Sequence, residues 1–249
     1  MRIFLASTTD RRIKSANDSI EPKYVLETFF AGEKACIEAY KSVKPENFLL
    51  DSGAFSFMSG QKCSKKILSD YLNKYIAFIN KYDIKYFFEL DVDTIFGIEF
   101  VEQMRAKLER ETHKKCIPVW HKGRGIEYWK QMCEQYRYIA IGGLVFHIKK
   151  QEYELIRKMV KYAYEKGVKV HGLGFTKTKE LYKYKFYSVD STSWKMSAIR
   201  GQQFQFFNGT RIVQRMLIKG DKKADLDKMI YHNYKEWIKY QRYMDMKGW

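Results

Sequence analysis

Four aspartates stand at the ends of short apolar runs in this 249-residue chain, and carboxylates so placed can do chemistry. Asp51 closes the run from Phe48, Asp91 and Asp93 close the run from Ile84, and Asp190 closes the run from Phe186. Trp120-His121, Gly142-Gly143 and His171 to Gly174 occupy the same place after three further runs. Carboxylates are costly to bury without partners, because desolvation favours the neutral acid. Each Asp alone reads equally well as the N-cap of the helix that follows it. All four serving only as caps is the poorer reading.

Other chemistries fit less well. The five histidines include no H-x-H or H-E-x-x-H pair, and only His121 and His171 fall at strand ends, so no dedicated metal site is expected. No G-x-S-x-G elbow is present, and no cysteine sits at a strand end beside histidine. Gly172-Leu173-Gly174 is a lone G-x-G, more often a tight turn than a phosphate cradle. Carboxylates suit reaction at an anomeric carbon, where one ionised Asp attacks C1′ and another protonates the leaving group. When the leaving group is a nucleobase, the pocket must also grip the base by its edge.

The elements that would position these residues alternate. Strand-like runs are expected at Arg2 to Ala6, Phe48 to Asp51, Ile84 to Asp91, Lys115 to Trp120, Tyr138 to Gly142, Val168 to Gly172 and Phe186 to Asp190. Gln203 to Phe207 is the eighth candidate. Between them, Ile67, Leu68, Tyr71, Leu72, Tyr75, Ile76 and Ile79 share one helical face. Ile98, Val101, Met104 and Leu108 share another, with Arg105 as its polar exception. Leu155, Ile156, Met159, Val160 and Ala163 form a third, closed by Gly167, and Leu226 to Tyr240 marks a long C-terminal helix. Eight strand-helix units of ~30 residues match a (β/α)8 TIM-type barrel, read as a single α/β domain over residues 1–249. A doubly wound open parallel sheet is the alternative. In a parallel barrel the C-terminal strand ends meet at one mouth, where the aspartates would gather.

The formal net charge of +17 points to a polyanionic partner, nucleic acid first. Composition biased toward Lys, Tyr, Phe, Ile and Asn is the plain alternative source of that charge. With 45% hydrophobic residues the chain is not of the disordered class, and no apolar run approaches the ~20 residues of a membrane span. The start is too briefly apolar for a signal peptide, and four scattered cysteines suggest no disulfide framework, so a reducing cytoplasm is expected.

The segment Leu50-Asp51-Ser52-Gly53-Ala54-Phe55-Ser56 resembles the D-S-G-G-[FY]-Q signature of queuine/archaeosine tRNA-guanine transglycosylases, barrel enzymes that exchange guanine for a 7-deazaguanine. Leu90-Asp91-Val92-Asp93-Thr94, Ile141-Gly142-Gly143-Leu144, His171-Gly172-Leu173-Gly174 and Tyr187-Ser188-Val189-Asp190-Ser191 are similar to further strand ends of that family, in consistent order. The resemblance implies that Asp190 attacks C1′ and holds a covalent glycosyl intermediate while Asp51 serves as acid/base. It also implies that Asp91 reads the Watson-Crick edge of guanine, that the Gly142 or Gly143 N–H meets its carbonyl, and that Phe55 stacks on its ring. Ser52, Gly53, Asp93, His121 and Gly172 complete the implied base site.

Two departures narrow the resemblance. No C-x-C-x-x-C…H zinc site follows Asp190, and Trp120-His121 stands where the family commonly has Gln. The compact chain looks most like the DNA-guanine transglycosylases of 7-deazaguanine DNA-modification systems, as in phage genomes, which would place it in the host cytoplasm. DNA is therefore the favoured substrate, with the 7-deazaguanine base as the small-molecule partner and no cofactor. A tRNA enzyme without the zinc subdomain and a non-catalytic nucleic-acid-binding barrel are the alternatives. A homodimer or accessory protein is left open. A base in a duplex must be flipped out, and Lys122, Arg124, Lys195, Arg200 and Arg211, predicted in loops after the fourth, seventh and eighth strands, are the candidate phosphate contacts.

Overall fold

The computed structural model describes residues 1–14, 20–58, 63–144, 150–175, 177–179, 181–201, 203–216 and 225–248. Seven parallel strands form one curved sheet: β1 (Arg2–Ala6), β2 (Val25–Thr28), β3 (Phe48–Asp51), β4 (Val119–Trp120), β5 (Tyr138–Ile141), β6 (Lys169–Gly172) and β7 (Ser188–Ser191). Their order is β3-β2-β1-β7-β6-β5-β4. The segment at Phe87 and Phe88 joins the two edges, pairing in parallel with Leu50 of β3 and with Ile117 just before β4. Its backbone bonds both neighbours, through Phe88 N–H to Leu50 O at 3.0 Å and Ile117 N–H to Phe87 O at 2.8 Å. The ring closes as an eight-stranded α/β barrel, which decides against the open sheet.

Two expectations need correction. The eighth run, Gln203 to Phe207, is a strand, β8 (Gln203–Phe207), but it pairs antiparallel with β9 (Ile212–Met216) in a hairpin outside the barrel. The strand that completes the ring is β2, whose apolar run is broken by the buried Glu27. Thr9 Oγ1 and the Thr28 N–H both donate to that carboxylate, at 3.1 Å each, which is how a charge-bearing residue is accommodated there.

Along each strand side chains alternate between the barrel interior and the helices outside. Phe4, Leu26, Leu49, Phe88, Ile117, Val119 and Ala140 pack together in the interior. The outer layer includes helix Lys65–Lys81, whose Leu68, Leu72, Tyr75, Ile76 and Ile79 are buried. Tyr75 Oη donates across two strands, reaching Leu50 O at 3.2 Å and Phe88 O at 3.1 Å. The polar exception on helix Ile98–Thr112, Arg105, pairs with the fully buried Glu89 at 3.1 Å. The last helix, Leu226–Met246, covers β1 and the hairpin. Asn233 and Glu236 on that helix accept backbone N–H groups of Gln205 and Phe207, satisfying an otherwise open strand edge. Among the described residues no helix is long and apolar enough to cross a membrane.

Candidate active site

Two-residue alternation sets the site. Leu49, Val119 and Ala140 face the interior, so Asp51, His121 and Gly142, two residues further on, take the last inward positions at the C-terminal strand ends. Ser188 and Asp190 follow the same rule on β7. Apolar layers thus fill the barrel below, and polar groups crown it.

Asp190 is held through one of its two oxygens. Its Oδ1 accepts from the Gly174 N–H at 2.7 Å and from His171 Nε2 at 3.1 Å. Among the described residues no hydrogen bond goes to Oδ2, which remains available to an electrophile. A carboxylate can only accept, so Nε2 carries the hydrogen, and in the neutral ring Nδ1 accepts from Ser188 Oγ at 2.7 Å. Ser188 Oγ lies 2.5 Å from Tyr138 Oη, which continues the chain down the barrel. His171 has no solvent exposure and is flanked by the rings of Phe4 and Phe88, which fix its plane.

Asp51 sits in a turn built to hold it. The Gly53 N–H donates to Oδ2 at 3.2 Å, and the Thr28 side chain bonds the same carboxyl. Burial first, then the charge of Asp91 and, more weakly, that of Asp190, push the Asp51 carboxyl up to about 7. Asp91 and Asp190 thus both lie within electrostatic reach of Asp51. Gly53 has φ +78°, and a Cβ there would stand 2.6 Å from Phe30 Cβ, so the turn demands glycine. Ser52 is fully buried, its carbonyl accepting from Tyr71 Oη at 2.7 Å and its hydroxyl from the Ala54 N–H at 3.4 Å. Ser52 and Gly53 thus shape the turn that holds Asp51. Phe55, on helix Ala54–Met58, is 56% exposed.

The third cluster is an ion-pair chain. His121 Nε2 meets Asp91 Oδ2 at 3.2 Å, and Nδ1 meets Asp93 Oδ1 at 2.8 Å. Burial alone would lower the His121 pKa, but hydrogen bonds and charge from the two aspartates overcome it and raise it to about 9. Burial would likewise raise Asp93, yet His121 and Arg124 hold it well below the usual carboxylate range. Arg124, with 1% of its side chain exposed, bonds Asp93 at 3.0 Å and Glu89 at 2.9 Å. Glu89 also accepts from Arg105 and from the Val119 N–H. Two guanidiniums and a backbone donor are the partner set that a fully buried carboxylate needs to stay charged.

Glycines divide between space and donation. A Cβ at Gly142 would lie 2.3 Å from His121 Nε2, so glycine at that position makes room for the imidazole. The Gly142 N–H is already given to Trp120 O at 2.9 Å, which leaves the exposed Gly143, at φ +75°, as the candidate backbone donor. Gly172 is buried against Phe175 and Phe186, and Gly174 supplies an N–H to Asp190.

The expected phosphate contacts are redistributed. Arg124 points inward into its ion pairs, Lys195 pairs with Asp10 at 2.7 Å, and Lys122 pairs with Glu152. Arg200 is exposed near the end of helix Ser193–Gly201. Arg211 lies at the turn of the hairpin rather than in a loop after a barrel strand. Sequence reading assigned no role to His171, Gly174 or Thr28. The inward period along β6 flags His171, whereas Thr28 is hidden with the unrecognised β2.

No family profile matches the chain, and no curated protein matches it. Among solved structures it is similar to the carboxyl transferase domain from Rhizobium etli pyruvate carboxylase, solved with oxalate. The identity is 13% and the TM-score 0.47, over 97% of this chain and 48% of that one, so the chain spans about half the length of that structure.

Proposed function

We propose that this protein is a base-exchange transglycosylase acting on guanine in nucleic acid, DNA in preference to tRNA. The observation that carries the reading is that Asp51, His121 and Asp190 take the last inward positions at the ends of β3, β4 and β7, with Asp91 bonded to His121, so that carboxylates from three distant stretches of chain share one barrel mouth. Their surroundings differ as the three roles require.

Asp190 Oδ2 attacks C1′ of the nucleotide while Oδ1 stays held by His171 and Gly174. The new C1′–O bond replaces the C1′–N9 bond, and the proton that guanine needs to leave comes from Asp51. A carboxyl titrating at about 7 holds and releases a proton near neutrality. The incoming 7-deazaguanine gives its N9 proton back to Asp51, its nitrogen forms the bond to C1′, and the Asp190 carboxylate departs. Asp91 accepts from the N–H groups of the base edge, with the His121 imidazolium balancing the charge that Asp91 and Asp93 bring together. The preference for DNA rests on the resemblance of the strand-end motifs to the compact DNA-guanine transglycosylases.

Exchange of labelled guanine, measured side by side in DNA and in tRNA, tests the reading. Release from DNA that requires Asp190 and Asp51 is the expected result. Exchange into tRNA alone would overturn the choice of substrate, and exchange into neither would overturn the activity.

A further inference from the structure

A groove of about 830 Å³ opens on the barrel flank, within the ~300–1,000 Å³ span of ligand sites. Met1 and Phe186, which precede β1 and β7, border it together with the hairpin turn and the C-terminal end of the last helix. It therefore lies toward the N-terminal strand ends, away from the aspartates. Phe186 is four residues before Asp190, about 13 Å along a strand.

The lining is basic and aromatic. Lys179, Lys183, Lys185, Arg211 and Lys247 line it, and among the described residues no Asp or Glu does. Among the described residues no ion pair is formed by Lys179, Lys183, Arg211 or Lys247, whereas Lys122, Arg124 and Lys195 at the mouth are all paired. Tyrosine rings lie among them: Tyr182, 72% exposed, sits between Lys179 and Lys183, and the Lys247 ammonium stands 5.2 Å over the Tyr243 ring. Like charges held together without counter-ions repel, and a bound polyanion relieves that repulsion while releasing its own condensed counter-ions. Cations along a concave track, with aromatic faces for unpaired bases, are the working parts of a single-strand site.

We infer that this groove binds single-stranded nucleic acid, backbone against the four cations and a base stacked on Tyr182. The groove reaches Thr178, and the four-residue path from Gly174, which bonds Asp190, spans at most about 14 Å. A strand seated in the groove is thus a few nucleotides from the mouth. Binding there does not depend on the transglycosylase reading, although it would give that chemistry its substrate path.

The test is fluorescence anisotropy of labelled oligo(dT) and oligo(rU) titrated with the full chain at several salt concentrations. In the Lys179→Gln/Lys183→Gln/Arg211→Gln/Lys247→Gln variant the slope of log K against log salt should shrink by about 2.8, at about 0.7 per lost contact. Affinity near 100 mM salt should fall at least about tenfold. Tyr182→Ala should weaken binding about tenfold without changing the slope. Preference between the two oligonucleotides distinguishes DNA from RNA as the source of the strand. Unchanged affinity and slope in the quadruple variant would overturn the inference. So would equal loss on duplex DNA with Tyr182→Ala silent, or equal competition by polyglutamate, which would make the groove a duplex track or a general anion sink. Asp190→Ala should bind as the wild type does; if it binds and the wild type exchanges no base, the groove stands and the catalytic reading falls.

Discussion

The mouth of the barrel and the groove on its flank both carry cations, in opposite electrostatic states. At the mouth each arginine or lysine that sequence order placed near the aspartates, Arg200 apart, is turned into an ion pair: Arg124 with Glu89 and Asp93, Lys195 with Asp10, Lys122 with Glu152. On the flank Lys179, Lys183, Arg211 and Lys247 have no carboxylate partner among the described residues. Arg124, paired and buried, fixes geometry, while cations without a carboxylate partner attract a ligand. The same residue type thus positions the chemistry in one region and recruits in the other, and the difference lies in burial and partners.

The largest effect expected from this contrast is on stability at the mouth. Arg124→Ala should cost about 3–5 kcal/mol in denaturant unfolding, because it strands Glu89 and Asp93 as buried charges. A loss under 1 kcal/mol would mean that the network is not the scaffold described. Next, Gly142→Ala should cost about 1–3 kcal/mol by driving a methyl group into His121, and guanine release should fall with it. Asp51 comes third. Its folded pKa of about 7 exceeds the unfolded value, so the folded state holds a proton that the unfolded chain loses. Stability should decline as pH rises from about 4 to 7, and Asp51→Asn should remove that decline. The pH profile of kcat/KM should turn down above pH 7, by up to tenfold per unit.

His121 has the opposite sign. Its stabilisation is complete below about pH 6.5 and is lost as pH rises through 9, and a His121→Gln variant should show no such alkaline loss. The smallest effect belongs to the flank: Lys183→Gln should change stability by less than about 0.5 kcal/mol. A larger loss would show that the groove cations are structural after all.

The barrel was legible where apolar runs end in polar residues, since Phe48–Asp51 and Ser188–Ser191 carry their own boundary signals. β2 was not, because Glu27 interrupts Val25-Leu26 and its compensating donors come from Thr9 and the backbone. The Asn208-Gly209 pair between β8 and β9 is a hairpin signal, and it outweighs the count of strand-helix units that put Gln203 to Phe207 in the barrel. The aspartates could be listed from strand ends, but their partners could not. Glu89 meets Arg124 across 35 residues and His171 meets Asp190 across 19, distances over which spacing carries no information. The sequence left the donor open between Gly142 and Gly143; the Gly142 N–H is given to Trp120 O, and only packing reveals that its missing Cβ makes room for His121.

The central claim is that Asp190 forms a bond to C1′, and the direct measurement is intact-mass analysis after denaturing the protein with a guanine-containing DNA strand, the incoming base withheld. The account predicts a protein-DNA adduct of the strand minus guanine in the wild type and none in Asp190→Ala. An adduct that persists in Asp190→Ala, or base exchange by the wild type with no adduct at any time, would contradict it.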